Sequence, residues 1–465
     1  MTVSTGSTTA KAVLLPGFEG TTLPDWLAAR LRDGLAGVCI FGGNIESREQ
    51  LRALTDAIRE ANPDSLIAID EEGGDVTRLY YDQGSPYPGN ALLGRIDDIA
   101  YTGEIARAVG WQLREVGVNL NFAPDVDINS NPDNPVIGVR SFGTDAALVA
   151  RHAAAWVRGL EHTGVAASAK HFPGHGDTAQ DSHLALPVVD LALEALRERE
   201  LLPFEAAIAA GTRTIMTSHI LLPQLDAENP ATFSPRILGG LLRDELGFDG
   251  VIVSDALDMK GASGVTGIPA AAVRAILAGC DLLCIGTNNT DEQLAEIEAA
   301  LVAGVPSERL QAAADRNIQL ARSLAHNAPT TPLPVEPEFD LARTTFAFDV
   351  KPGIDIELRR TPIAIETVAN IAVGVAPWGP AVAAHVGPGD ALPAFDGQLV
   401  LVGKDNHRHA WVRELIDAAR RDHPSTIVVD MGWPSDDRTY ADVATFGASR
   451  HVGQALSAWL EGIVR

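Results

Sequence analysis

Cysteine is scarce in this chain, with three in 465 residues, all inside apolar runs: Cys39 in GVCIF, and Cys280 and Cys284 in GCDLLCIG. So few exclude a disulfide-stapled secreted scaffold, and with no other cysteine nearby the last two do not make a zinc site. Buried, reduced thiols and a reducing, cytoplasmic compartment are expected. Basic residues are also short: 36 Lys and Arg face 61 Asp and Glu, for a net charge of -25. A nucleic-acid backbone needs a basic face, so no nucleic-acid partner is expected, and the acidity reads as a solvated surface. Long apolar runs are missing too. No uncharged apolar stretch reaches the ~18 residues of a membrane span. The opening MTVSTGSTTAKAVLLPGFEG has no basic segment leading into an apolar core, so neither secretion nor membrane contact is expected.

What is present is an alternation. Up to about residue 325, short β-rich runs end near 16, 41, 70, 124, 170, 218, 255 and 286, and segments of helical period separate them. In GEIARAVGWQLREVG, for example, Ile105, Val109, Leu113 and Val116 form one apolar stripe. Eight strand–helix units predict an α/β fold, a (β/α)8 TIM-like barrel over 1–325, with a doubly wound open sheet as the alternative. A proline-dense linker is expected over 326–345, followed by a smaller α/β sandwich over 346–465. Its strands are QLVLV and TIVVD, and its helices lie around WVRELIDAARR and near the C-terminus.

Polar residues stand where several barrel strands end: Asp70 closes LIAID, Lys170 and His171 close VAASAK, His219 follows TIMTS, and Asp255 closes VIVSD. In a barrel these ends share one rim, where active sites of this fold sit. The stretch KHFPGHGDTAQDSH, 170–183, is the densest of these clusters. His171 and His175 have the spacing of a zinc helix, but Pro173, Gly174 and Gly176 break any helix there. A loop zinc site from His175, Asp177 and His183 is the metal alternative, and a loop whose Asp and His merely bind backbone is the inert one. The catalytic reading pairs Asp181 with His183, a carboxylate orienting an imidazole for acid/base work. Asp255 could then attack an anomeric carbon, as in retaining glycosidases. Asp70, Arg140, Lys170 and His171 have the chemistry to hold sugar hydroxyls, and Arg140 could equally serve a structural ion pair.

The runs AIDEEGGDVTRL (68–79), FAPDVDINSNPDNPVIGVRSFG (122–143), KHFPGHGDTAQDSH, MTSHI (216–220) and GFDGVIVSDALDMKG (247–261) resemble glycoside hydrolase family 3, in its β-N-acetylglucosaminidase branch. The resemblance implies Asp255 as nucleophile and His183, oriented by Asp181, as acid/base. It implies Asp70, Arg140, Lys170 and His171 as ligands of the nonreducing-end sugar, and no metal or organic cofactor. The expected substrate is an N-acetylglucosamine-containing carbohydrate derived from muropeptides or chitin, which places the chain in cell-wall recycling. DEEGGDV departs from the family pattern at Glu71 and Asp75, which makes that rim more acidic. Glu357, Glu366 and Glu414 read as surface residues. A β-glucosidase or dual-specificity enzyme, a phosphorylase and a noncatalytic sugar binder are the competing readings. Shaping the pocket, homodimer formation and stabilising the barrel are the roles open to the second domain.

Overall fold

The computed structural model describes residues 9–179, 186–264, 266–326, 339–367, 372–373 and 378–463. The chain divides into two compact units that are not contiguous in sequence. The barrel unit takes 1–71, 99–134 and 144–336, and the second unit takes 72–98, 135–143 and 337–465. Of the expected linker, 327–338 lies outside the described residues, and its far end forms the short helix Leu341–Phe346, capped by the Asp340 side chain.

In the barrel unit, eight strands follow the chain: β1 (Leu14–Pro16), β2 (Gly37–Ile40), β3 (Leu66–Ile69), β4 (Leu120–Asn121), β5 (Ala166–Phe172), β6 (Thr214–Thr217), β7 (Val251–Ser254) and β8 (Leu282–Gly286). They are hydrogen-bonded in parallel, in the order β1-β8-β7-β6-β5-β4-β3-β2, and β1 lies beside β2 to bring the ring near closure. The architecture is the expected (β/α)8 barrel rather than an open sheet. Strands buried on both faces read as continuous apolar runs, which is why VIVS and LLCIG stand out in the sequence. Every second side chain points inward, so Leu66, Ala68, Leu120, Phe122, Val251, Val253, Leu282 and Cys284 fill the interior. Cys39 joins them there, and all three cysteines are buried thiols. The helical stripe read from 103–117 belongs to the helix Ile99–Glu115, with Ile105, Val109 and Leu113 buried.

The second unit holds a mixed six-stranded sheet: β9 (Asp349–Val350), β10 (Arg360–Ile365), β11 (Ala384–Val386), β12 (Gln398–Gly403), β13 (Ile427–Asp430) and β14 (Val443–Ala444). Its order is β11-β10-β12-β13-β14-β9, parallel except for β9. β12 is apolar on both faces, with Val400 and Val402 in one core cluster and Leu399 and Leu401 in the other. The helix Ala410–Asp422 packs Val412 and Ile416 into the second of these clusters. Among the described residues no helix is long and apolar enough to cross a membrane.

One buried charge cluster closes the barrel at the start of β8. The Asp281 side chain, fully buried, accepts from Arg243, from Arg309 at 3.2 Å, from Arg316 at 3.3 Å and from the Ile252 amide at 3.1 Å. Removing one partner of such a group strands the others without a counter-charge. We expect Asp281→Ala to lower unfolding free energy by about 3–5 kcal/mol in a urea titration. A loss below about 1 kcal/mol would class the cluster with weak surface pairs.

Candidate active site

β3 and β5 place two of the expected residues together. Asp70 follows β3, and Lys170 sits in β5 with its Nζ 2.7 Å from Asp70 Oδ1. The ammonium is almost fully buried, and that carboxylate supplies a counter-charge beside it. β5 runs two residues past the expected end at Lys170, through His171 to Phe172. The Lys170–His171 and Phe172–Pro173 peptide bonds are cis.

Beyond β5 the chain is organised by a residue that sequence reasoning did not single out. Asp127 is buried, and its Oδ2 lies 2.7 Å from His171 Nδ1. Its Oδ1 accepts from the His171 amide at 3.3 Å and the His175 amide at 2.7 Å. His171 therefore carries its proton on Nδ1 toward the carboxylate, which fixes the ring and the tautomer. Burial pushes the Asp127 carboxyl up, but His171 and His175 together outweigh it and hold the group below the usual carboxylate range. The signal for it was the second aspartate of FAPDVD, which has no local pattern because its partners lie 44 and 48 residues away.

The His175 turn is held from several directions. Asn134 Nδ2 donates to the carbonyls of His175 and Gly176, each at 2.9 Å, and Thr178 Oγ1 lies 3.1 Å from His175 Nδ1. Gly176 is obligatory here, since a Cβ would sit 1.6 Å from the Ile128 carbonyl oxygen. Asp177 pairs with Arg199 at 2.6 Å, and Arg199 also reaches Glu200 at 2.6 Å. Asp181 and His183, the expected acid/base pair, lie outside the described residues.

Asp255 follows β7, and its Oδ1 accepts from the Ala256 amide at 2.7 Å while its own amide donates to Thr217 Oγ1 at 3.3 Å. His219, expected on the rim, is buried and turned to this backbone: its Nε2 donates to the Ala256 carbonyl at 3.0 Å, and Nδ1 meets Thr232 Oγ1 at 2.9 Å. Its role is to fix the turn that presents Asp255.

Arg140 is placed in the second unit, on the turn Gly138–Arg140, as a bidentate partner of Glu72 at 2.8 and 3.0 Å. Both side chains are buried, so the structural ion pair considered for Arg140 is present. Asp75 is not a loose rim charge either. It pairs with buried Lys404 and accepts from the Ala448 amide at 2.8 Å, all within the second unit.

Among the described residues, Asp125, Asp127 and His171 offer metal-ligand atoms within 4.8 Å of one another. Hydrogen bonds account for that closeness, since Asp125 Oδ1 accepts from the Asp127 amide at 3.0 Å and Asp127 accepts from His171. Of the zinc alternative, His175 faces Asp127 and Thr178, Asp177 faces Arg199, and His183 lies outside the described residues.

Burial holds the His175 imidazole down at about 4. A histidine kept neutral in the folded state takes up a proton only on unfolding, so its contribution is present above the ordinary value of 6.5 and is lost as pH falls toward 4. Glu161 and Glu200, pushed up to about 7 by burial, act with the opposite sign and are most stabilising at low pH. The parent is therefore compared with His175→Gln. The stability gap between them should narrow by up to about 1.4 kcal/mol per pH unit from pH 6.5 downward. A gap constant across that window in chemical denaturation would show that His175 is protonated in the fold.

With this geometry in place, comparison with known proteins gives a consistent answer. A sequence model of the glycosyl hydrolase family 3 N terminal domain matches residues 17–320. Beta-hexosaminidase A of Pseudoalteromonas piscicida is 41% identical over 285 residues, 56% of this chain and 48% of that protein, so the chain spans about half the length of this relative. A beta-hexosaminidase of Stenotrophomonas maltophilia (strain R551-3) is 39% identical over 283 residues, 59% of this chain and 83% of the relative. The solved structure of a glycoside hydrolase family 3 beta-N-acetylglucosaminidase from Paenibacillus sp. str. FPU-7 superimposes with a TM-score of 0.88 at 30% identity, covering 100% of this chain and 98% of that one. The chain belongs to glycoside hydrolase family 3.

Proposed function

We propose that this chain is a retaining exo-β-N-acetylglucosaminidase that removes nonreducing-end N-acetylglucosamine from muropeptide- or chitin-derived glycosides. The observation that carries the reading is Asp255 at the C-terminal end of β7, with its backbone turn fixed by His219 and its carboxylate aligned by the Ala256 amide. The names of the hexosaminidase relatives support the sugar. The three buried thiols fit work in a reducing compartment, the cytoplasm.

In this reading an Asp255 oxygen attacks the anomeric carbon, and the bond to the leaving oxygen breaks. His183, oriented by Asp181, gives that oxygen its proton. The neutral imidazole then takes a proton from water as the water oxygen displaces Asp255 from the same carbon. Two displacements on one carbon return the original anomeric configuration. Asp70, held by Lys170, accepts from sugar hydroxyls, and His171, with Nδ1 committed to Asp127, offers Nε2 to the substrate.

Two measurements test this. Asp255→Ala should lower kcat/KM on 4-nitrophenyl β-N-acetylglucosaminide by more than about 10⁴-fold. His183→Ala should cost about 10²–10⁴-fold with poor leaving groups and far less with a dinitrophenyl leaving group. Equal loss with both would remove His183 as the acid. Free sugar with and without phosphate is the expected product. Phosphate-dependent formation of the sugar 1-phosphate would make the chain a phosphorylase, and a tenfold preference for the glucoside would change the sugar.

A further inference from the structure

The second unit has a cavity of about 490 Å³, whose lining among the described residues lies between Ala364 and Met431. That size is in the range of small-molecule sites. Its place in the sheet is informative. β10 has β11 on one side and β12 on the other, all parallel, so the chain leaves β10 in one direction and returns on the opposite side. The cavity opens where β10, β12 and β13 end, at Ile365 and Glu366, Gly403 and Lys404, and Met431. A crevice outside the carboxyl ends of parallel strands, at the point where strand order reverses, is where open α/β sheets bind ligands.

The lining narrows the ligand class. Trp378 supplies an aromatic wall. Glu366 and His385 stand 3.4 Å apart, each 61% exposed, and both line the cavity. Glu366, read from sequence as a surface residue, thus has its carboxylate available to a ligand. Lys404 is matched by Asp75, so it offers no spare positive charge to a phosphate or carboxylate, and Glu366 repels such groups. An apolar wall with a carboxylate and an imidazole, and no net positive charge, suits a neutral polyhydroxyl ring. Its C–H face would lie on the indole, paired hydroxyls would donate to Glu366, and His385 would donate to a ring or hydroxyl oxygen.

We propose that this cavity is a saccharide-binding site for one or two neutral sugar rings, built from the second unit's own residues. It does not depend on the chemistry assigned to Asp255.

The test uses the full chain labelled with 5-fluorotryptophan, in which the fluorine resonance lost in Trp378→Phe reports the cavity. Titration with N-acetylglucosamine or glucose should shift that resonance saturably. Glu366→Gln, a change at an exposed side chain, should weaken the apparent affinity by about tenfold, and inorganic phosphate should leave the resonance unmoved. No saturable shift with either sugar overturns the site, as does a shift that Glu366→Gln leaves unchanged. A phosphate shift as large as the sugar shift overturns the neutral-ligand assignment. Glycoside turnover is scored separately, so a chain that hydrolyses without a shift loses this site alone, and one that shifts without hydrolysing loses only the activity proposed above.

Discussion

A single buried carboxylate organises the chemistry of the barrel rim. Asp127 receives three N–H groups from the His171–His175 segment, two from backbone and one from an imidazole. Each backbone amide there would otherwise be a buried donor without an acceptor. Because the carboxylate satisfies them together, Lys170, His171 and the glycines that follow take one arrangement. Lys170 can then meet Asp70 at 2.7 Å, and the His171 ring faces one way. The tight approach of Gly176 to Ile128 belongs to the same constraint, since any side chain at that position would push the turn away from Asp127.

The second unit shows the same economy with ion pairs. Glu72 with Arg140, and Asp75 with Lys404, are buried pairs joining segments far apart in sequence. Pairs of this kind seldom add net stability over a well-packed apolar contact, but they penalise any arrangement that leaves one member unpaired. The departure of Asp75 from the family pattern is explained by this. The carboxylate at this position has Lys404 as its partner, so the acidity that Asp75 adds to DEEGGDV is matched inside the unit.

The sequence made visible what depends on short-range pattern. Strands buried on both faces announced themselves as apolar runs, and their ends marked Asp70, Lys170, His171 and Asp255, because a barrel brings such ends to one rim. It did not show what depends on long-range pairing. Asp127 lies 44 residues from the imidazole it orients, and nothing local distinguishes it from Asp125. His219 looked like another rim residue, yet its ring is spent on the Ala256 carbonyl. Arg140 offered two readings because composition cannot reveal that Glu72 would be its bidentate partner. Glu366 is exposed, as read, but the cavity beside it was not visible because its walls come from separate segments, none of which carries a motif.

The same pairing logic explains why a cluster with metal-ligand spacing is better understood as a hydrogen-bonded one. A cation held by Asp125, Asp127 and His171 would need the Asp127 oxygens and a deprotonated His171 nitrogen. The Asp127 oxygens already accept from two amides and an imidazole N–H, and Asp125 Oδ1 accepts from the Asp127 amide. Binding would orphan the buried amides of His171 and His175, whose desolvation cost falls within about 1–3 kcal/mol each. It would also release the ring orientation that the turn is built to give. Closeness of ligand atoms is thus a by-product of the hydrogen bonds that shape the loop.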